Sequence, residues 1–148
     1  KVRDIILDKW NMVADEFFKY QHDFAITTSW ITEVQPGSSS QVHSHYNSMI
    51  SGVYYFDTYD EFSSDIEFIN PLTKFQSFWI EPREPSLSCS TLWSLPPRDK
   101  LLIFFPSYLE HRVAIHRGDE TRYSLAFNIV PTGLIGGADS SYNNQWFN

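Results

Sequence analysis

The sequence has few of the features that mark secreted, membrane-spanning or nucleic-acid-binding proteins. It contains one cysteine, Cys89, which excludes an intrachain disulfide and favours a reducing compartment, so we expect a cytoplasmic protein. Basic residues number 11 against 18 acidic ones, and the net charge of −7 disfavours nucleic acid as a partner, because phosphates are bound by basic surfaces. The longest apolar run, Leu101–Pro106, is far shorter than the roughly 20 residues that span a bilayer, so no membrane partner is expected.

Apolar residues, by contrast, are plentiful. Hydrophobic residues make up 42% of the 148 residues and aromatic residues 17%, which excludes a disordered chain. A chain of this length predicts a single domain over residues 1–148. Ile6, Trp10, Val13 and Phe17 recur at helical spacing with charged residues between them, and they predict a leading amphipathic helix within residues 1–20.

The rest of the chain is predicted to be all-β. Short runs of aromatic and β-branched residues are divided by turn formers such as Pro36-Gly37 and Asn70-Pro71. Eight or nine short strands in so few residues favour two packed sheets, and we predict a jelly roll. Segment 133–148, rich in Gly, Ser and Asn, is predicted to be a C-terminal loop or tail. The predicted strands are Phe24–Val34, Gln41–His45, Met49–Asp57, Asp65–Ile69, Lys74–Ile80, Ser88–Leu95, Leu101–Phe105, His111–Ile115 and Arg122–Val130.

Three of the five histidines form the first candidate for a chemical site. Alternate residues of a strand point to the same face, so His43 and His45 can both reach one metal ion. On spacing alone, a solvent-facing strand edge explains this pair equally well. His111 follows a second apolar strand and a proline, and it adds a third imidazole. Two imidazoles from an early strand and one from a late strand would fill one face of an octahedral site, which suits non-haem iron.

The second candidate is a basic residue, Arg122, eleven residues after His111. If the two lie on consecutive antiparallel strands, Arg122 is near the metal, and its planar guanidinium matches a carboxylate with two hydrogen bonds. Ser124 lies on the same strand face and can add a hydrogen bond to that carboxylate. Taken alone, Arg122 is more typical of a solvated strand arginine, but the three histidines together favour the anion-binding interpretation.

Several segments of the sequence resemble one known family. They are Trp30–Val34, Pro36-Gly37, His43-Ser44-His45, Ser51–Tyr55, Phe105–Val113 and Arg122–Asn128. In these segments the chain is similar to 2-oxoglutarate/Fe(II)-dependent oxygenases related to prolyl 4-hydroxylases, of the type found in marine bacteria and phages. The resemblance implies a double-stranded β-helix, the cupin-like form of the jelly roll.

The resemblance also implies a cofactor and a cosubstrate, Fe(II) and 2-oxoglutarate. His43 and His111 match the two histidine ligands of the iron, and Arg122 matches the residue that binds the distal carboxylate of 2-oxoglutarate. Ser124 completes an Arg-x-Ser pattern, and Tyr54 is a weaker cosubstrate candidate, expected to point inward. The implied reaction uses O2, releases succinate and CO2, and hydroxylates a substrate that is either a small molecule or a protein side chain.

One position departs from the pattern of the wider superfamily, because His45 stands where the superfamily has an acidic metal ligand. Glu110 is a poor replacement, since the immediate neighbour of a strand histidine points to the other face. Asp65 or Glu67 could reach the metal only if its strand crosses the mouth of the barrel. We therefore expect His45 to be the third ligand.

That departure leaves two alternative functions open. Gly37, His43, His45, Pro106 and His111 are similar to parts of the cupin motifs, and a three-histidine cupin binds metal without 2-oxoglutarate. This alternative explains His45 but gives Arg122 no role. The non-catalytic alternative is a jelly-roll binding module whose surface aromatics bind a partner, and its candidate residues are Trp79, Trp93 and Trp146.

Overall fold

The computed structural model describes residues 1–75, 77, 78 and 80–145. The chain begins with helix α1, Val2–Val13, which continues into a π-helical turn, Ala14–Phe18. Short 3-10 helices lie at Pro71–Phe75 and Ala138–Ser140. The strands are β1 (Phe24–Val34), β2 (Ile50–Tyr54), β3 (Ile66–Ile69), β4 (Leu92–Leu95), β5 (Leu102–Pro106), β6 (His111–Val113), β7 (Arg122–Pro131), β8 (Gly133–Ile135) and β9 (Tyr142–Asn144).

The strands form two main antiparallel sheets and a hairpin. The larger sheet has the order β1-β7-β2-β5, and the smaller has the order β4-β3-β6. Val53 and Phe105 of the larger sheet pack against Ile66 and Phe68 of the smaller one, so the two sheets face each other across an apolar layer. This arrangement is the predicted jelly roll.

Helix α1 covers the outer face of the larger sheet, as the spacing of its apolar residues predicts. Ile6 and Trp10 are 2% and 1% exposed, and they pack with Phe24, Phe127 and other residues of that face. The Trp10 and Phe24 rings meet edge to face with centroids 5.4 Å apart. The predicted helix over residues 1–20 is thus an α-helix that ends as a π-helical turn before the left-handed Lys19.

Three of the predicted elements are wrong. Gln41–His45 forms no strand and contributes one isolated β-bridge, between His43 and His111. Lys74–Ile80 begins inside the 3-10 helix Pro71–Phe75 rather than in a strand. Asn70 caps that helix, because its side-chain oxygen accepts the Leu72 amide and its backbone carbonyl accepts the Thr73 amide. Gln76 and Trp79 lie outside the described residues. Segment 133–148, predicted to be a loop or tail, contains β8 and β9, which pair as a hairpin, while residues 146–148 lie outside the described residues.

The helices that the structure describes are short. Within residues 1–75, 77, 78 and 80–145, no helix combines the length and the hydropathy needed to cross a bilayer.

Candidate metal centre and anion site

The two central histidines are joined through their backbones. His43 and His111 donate their N–H groups to each other's carbonyl oxygens, each over 2.9 Å, although His43 lies outside any strand. His111 opens β6, in register with Phe68 of β3. His45 is held by a backbone hydrogen bond of 2.9 Å to the carbonyl of Ser107, just after β5. The larger and smaller sheets therefore both position this histidine cluster.

The three imidazoles converge on one point. His43, His45 and His111 each offer a ring nitrogen, and these atoms lie within 4.8 Å of one another. The Nδ1 of His43 donates to the Gln41 carbonyl over 2.8 Å, and the Nδ1 of His111 donates to the Leu109 carbonyl over 2.9 Å. Because a carbonyl only accepts hydrogen bonds, both rings carry their proton on Nδ1 and leave the Nε2 lone pair free for a metal.

The surroundings of His111 keep its ring neutral. The side chain is 5% exposed, and burial lowers its pKa to about 4; the nearby His43 and His45 act in the same direction, while the hydrogen bond to Leu109 opposes them. A metal binds neutral imidazole, so His111 is in the ligating form at neutral pH without having to lose a proton.

The acidic residues weighed as alternative ligands lie elsewhere. Glu110 forms an ion pair of 2.6 Å with Lys74, and Glu67 forms one of 2.6 Å with Arg112. Asp65 accepts a hydrogen bond from Ser94 of the neighbouring strand β4. Within the described ranges, the only cluster of metal-ligating residues at this point is His43, His45 and His111. Three imidazoles suit a divalent first-row transition metal such as iron, so the donor set fits the predicted ion.

The structure gives Arg122 an unusual environment. The residue is 3% exposed, and within the described residues it forms no ion pair with an acidic side chain. Its Nη2 donates to the Tyr55 hydroxyl over 3.0 Å, but the buried Nε and Nη1 have no hydrogen-bond partner. A buried guanidinium without an anion is strongly disfavoured. The two vacant donors therefore point to an anionic ligand inside the barrel.

The tyrosine beside Arg122 is Tyr55, and the prediction that Tyr54 points inward is wrong. Tyr54 packs with the core beneath α1, on the outer face of the larger sheet, and does not point inward. Tyr55 is fully buried in the inner layer, and burial raises its pKa to about 12, a rise that the Arg122 charge partly offsets. Its hydroxyl therefore keeps its proton at neutral pH. Strand alternation predicts that only one of the two tyrosines points inward. The sequence does not show which one, because both faces of β2 carry apolar residues.

The remaining candidates are a serine, a histidine and the three tryptophans of the binding-module alternative. Ser124 is 2% exposed and shares the inner face of β7 with Arg122. Buried His116 is structural, because its Nε2 donates to the Glu120 carbonyl over 2.7 Å and its Nδ1 accepts the Ser64 amide over 3.3 Å. Trp93 packs against the inner layer rather than forming a binding surface. Trp79 and Trp146, the other two aromatics of the binding-module alternative, lie outside the described residues.

Comparisons with known proteins agree with this geometry. A model of the family described as "Putative 2OG-Fe(II) oxygenase" matches residues 28–128, a range that holds the histidine cluster, Tyr55 and Arg122. No curated protein matches the chain.

Two solved structures show the same fold. An oxidoreductase of the 2OG-Fe(II) oxygenase family from Burkholderia pseudomallei matches with a TM-score of 0.59 at 14% identity, over 80% of this chain and 50% of that one. A Pseudomonas putida prolyl-4-hydroxylase matches with a TM-score of 0.51 at 15% identity, over 82% of this chain and 61% of that one. This chain thus spans about half to three-fifths of these two proteins. Since the family model covers more than half of the sequence, the chain belongs to the 2OG-Fe(II) oxygenase family.

Proposed function

We propose that the protein is a 2-oxoglutarate- and Fe(II)-dependent dioxygenase, in which His43, His45 and His111 hold the metal. The observation that carries this proposal is the buried Arg122, whose Nε and Nη1 lack partners in the same barrel as the histidine cluster. A cupin that used only metal and O2 would have no use for this cation. A dicarboxylate cosubstrate supplies both a metal-binding end and a distal carboxylate for Arg122.

The groups around Arg122 offer several hydrogen-bond donors to that carboxylate. The vacant Nε and Nη1 donate to its oxygens, and charge-assisted hydrogen bonds of this kind are about twice as strong as neutral ones. The Tyr55 oxygen already accepts from Arg122, so its hydrogen is available as a further donor. Ser124, two residues after Arg122 on the same strand face, adds a hydroxyl. Val53 and Ile66 pack with Tyr55 in the inner apolar layer beside this pair.

The histidine cluster would orient the metal through fixed rings. Hydrogen bonds from Nδ1 to backbone carbonyls hold His43 and His111 with Nε2 exposed to the site. When bound there, Fe(II) supplies the redox chemistry that couples reduction of O2 to decarboxylation of 2-oxoglutarate and oxidation of a substrate C–H bond. The organic products are succinate, CO2 and the hydroxylated substrate.

His45 is the one histidine of the cluster that borders a described cleft, and this cleft is the candidate entrance for the substrate. The cleft has a volume of about 520 Å³, and its walls include His45, Met49 and two exposed tyrosines, Tyr46 and Tyr108. A protein side chain is the substrate class to test first, because the Pseudomonas putida relative is a prolyl-4-hydroxylase. A small molecule is the other class that this cleft would admit.

The metal assignment is tested by removing ligands. His43→Ala and His111→Ala should each abolish stoichiometric Fe(II) binding, because each removes one of three direct bonds, while circular dichroism shows an intact fold. Metal analysis after anaerobic loading measures this, with His22→Ala as the control: the His22 Nε2 bonds to the Leu134 carbonyl on the C-terminal hairpin. Full iron occupancy in both cluster variants would reject the site.

The cosubstrate assignment is tested at Arg122. Losing one partner of a buried ion pair costs on the order of 3–5 kcal/mol, which is roughly two to four decades in affinity. Arg122→Met should therefore keep Fe(II) but lose 2-oxoglutarate binding and succinate formation. Arg112→Met is the matched control, since Arg112 pairs with Glu67 on the outer face of the smaller sheet. Unchanged 2-oxoglutarate affinity in Arg122→Met would reject the assignment.

The second candidate function is a three-histidine cupin-type dioxygenase that does not use 2-oxoglutarate. His45 favours it, since an imidazole stands where the wider superfamily has a carboxylate ligand. Iron binding by the parent protein, together with no binding of 2-oxoglutarate at all, would favour this candidate.

A further inference from the structure

A row of polar side chains crosses the inner face of the larger sheet beside His45. In the strand register, Asn128 of β7 lies opposite Thr28 of β1 on one side and Ser51 of β2 on the other. Cross-strand neighbours on one face lie close enough to interact. Ser51 is fully buried, and so is Ser107, whose hydroxyl lies 2.9 Å from that of Ser51. Buried hydroxyls and amides stabilise a core less than apolar groups would, so the row calls for another explanation.

The row ends on the imidazole of His45. The Nδ1 of His45 lies 2.7 Å from Oδ1 of Asn128 and 2.9 Å from Oγ of Ser51. Ser51 donates its hydroxyl hydrogen to the same Asn128 oxygen over 2.7 Å. On the far side, Nδ2 of Asn128 donates to Thr28 over 2.9 Å, in the amide orientation that places its oxygen towards the ring. An amide oxygen has two lone pairs, so it can accept from both His45 and Ser51.

We infer that Asn128 is a positioning residue that selects the Nδ1–H tautomer of His45 and thereby makes position 45 a metal ligand. His43 and His111 obtain the same tautomer from backbone carbonyls, but His45 faces a side-chain amide instead. The opposite amide orientation would put an N–H group against Nδ1, move the ring proton to Nε2 and block the metal. The inference rests on the proposed function only in taking His45 as a ligand.

The arrangement also explains how an imidazole can serve at a position where the wider superfamily has a carboxylate. In this tautomer all three rings donate to uncharged oxygens, and within the described residues no carboxylate is hydrogen-bonded to a ring of the cluster. Asn128 supplies an acceptor without adding charge. A bound divalent ion would then keep its full charge until an anionic ligand arrives.

The test measures the His45 tautomer and the metal affinity in separate experiments. Nitrogen NMR of histidine-labelled protein without metal should show His45 as the Nδ1–H tautomer in the parent and in Asn128→Asp, which keeps an acceptor oxygen. Asn128→Leu should give a mixture or the Nε2–H form. Metal affinity, measured by titration with Fe(II) or Co(II), should fall about 10- to 100-fold in Asn128→Leu and stay near the parent value in Asn128→Asp.

Two further variants keep the inference falsifiable if Asn128→Leu fails to fold. Thr28→Val removes the hydroxyl that accepts from Nδ2 of Asn128, and it should shift the His45 tautomer in the same direction by a smaller amount. Asn143→Leu, at an exposed position of β9, should change neither measurement. A pure Nδ1–H tautomer and unchanged metal affinity in the foldable variants would overturn the inference. If the parent binds no metal, the proposed function fails, while the tautomer measurement still decides the role of Asn128.

Discussion

Tyr54 and Tyr55 are adjacent in sequence, yet they lie on opposite faces of the larger sheet. Tyr54 packs beneath α1, whereas the Tyr55 hydroxyl accepts a hydrogen bond from Arg122. Only the second can touch a ligand of Arg122. Strand alternation predicts that the two differ, but it does not say which faces inward, because both faces of β2 are buried.

The adjacent tyrosines provide a matched pair of variants. Tyr55→Phe should weaken 2-oxoglutarate binding by about ten- to a hundred-fold, since a hydrogen bond to a charged group contributes roughly 1.5–3 kcal/mol. Tyr54→Phe should leave the affinity unchanged. Anaerobic calorimetric titration of the Fe(II)-loaded proteins measures both. Equal affinities for Tyr55→Phe and the parent would remove Tyr55 from the site.

At the scale of the elements, strand β2 is held close to its neighbours by a glycine. A Cβ at Gly52 would lie 2.3 Å from Cζ of Phe127 and 2.6 Å from the Ile103 carbonyl, distances that real atoms do not adopt. Phe127 is fully buried under α1, so it has little space to move aside. Gly52 therefore leaves room for the Phe127 ring, which lies against it in the core beneath α1.

The glycine leads to a stability prediction. Gly52→Ala should lower the free energy of unfolding by about 1–3 kcal/mol, the usual cost of overpacking a core. Gly137→Ala is the control, because a Cβ there meets nothing within 4 Å and the backbone is extended, with φ −143 and ψ 155. Urea unfolding of both variants distinguishes them. A loss of stability at Gly137 that matched the loss at Gly52 would show that the close contact is not the cause.

Two predicted strands are absent from the described residues because specific hydrogen bonds, rather than local propensity, determine the backbone there. His43 pairs with His111 through two backbone bonds but has no ladder around it, so the predicted strand Gln41–His45 reduces to a single bridge. Asn70 diverts the chain into a 3-10 turn where a strand was predicted. Local propensity gives no sign of either contact.

Across the whole molecule, composition and turn spacing were enough to predict the jelly roll and its leading helix, because apolar periodicity reports which faces are buried. Residue chemistry also singled out His43, His45, His111 and Arg122, and the structure brings the three histidines together. The partners of these residues could not be predicted. Asn128 meets Thr28 and Ser51 only through the register of three strands, across sequence separations that no local pattern encodes.

The most direct test of the central claim is the stoichiometry of O2 consumption and succinate formation by the purified Fe(II)-loaded protein, with and without 2-oxoglutarate. The account predicts that oxygen uptake requires 2-oxoglutarate, yields one succinate for each O2 consumed, and stops when the metal is removed with a chelator. Slow turnover without the primary substrate is sufficient for this measurement. Oxygen consumption that proceeds without 2-oxoglutarate, or iron-loaded protein that forms no succinate at any 2-oxoglutarate concentration, would contradict it.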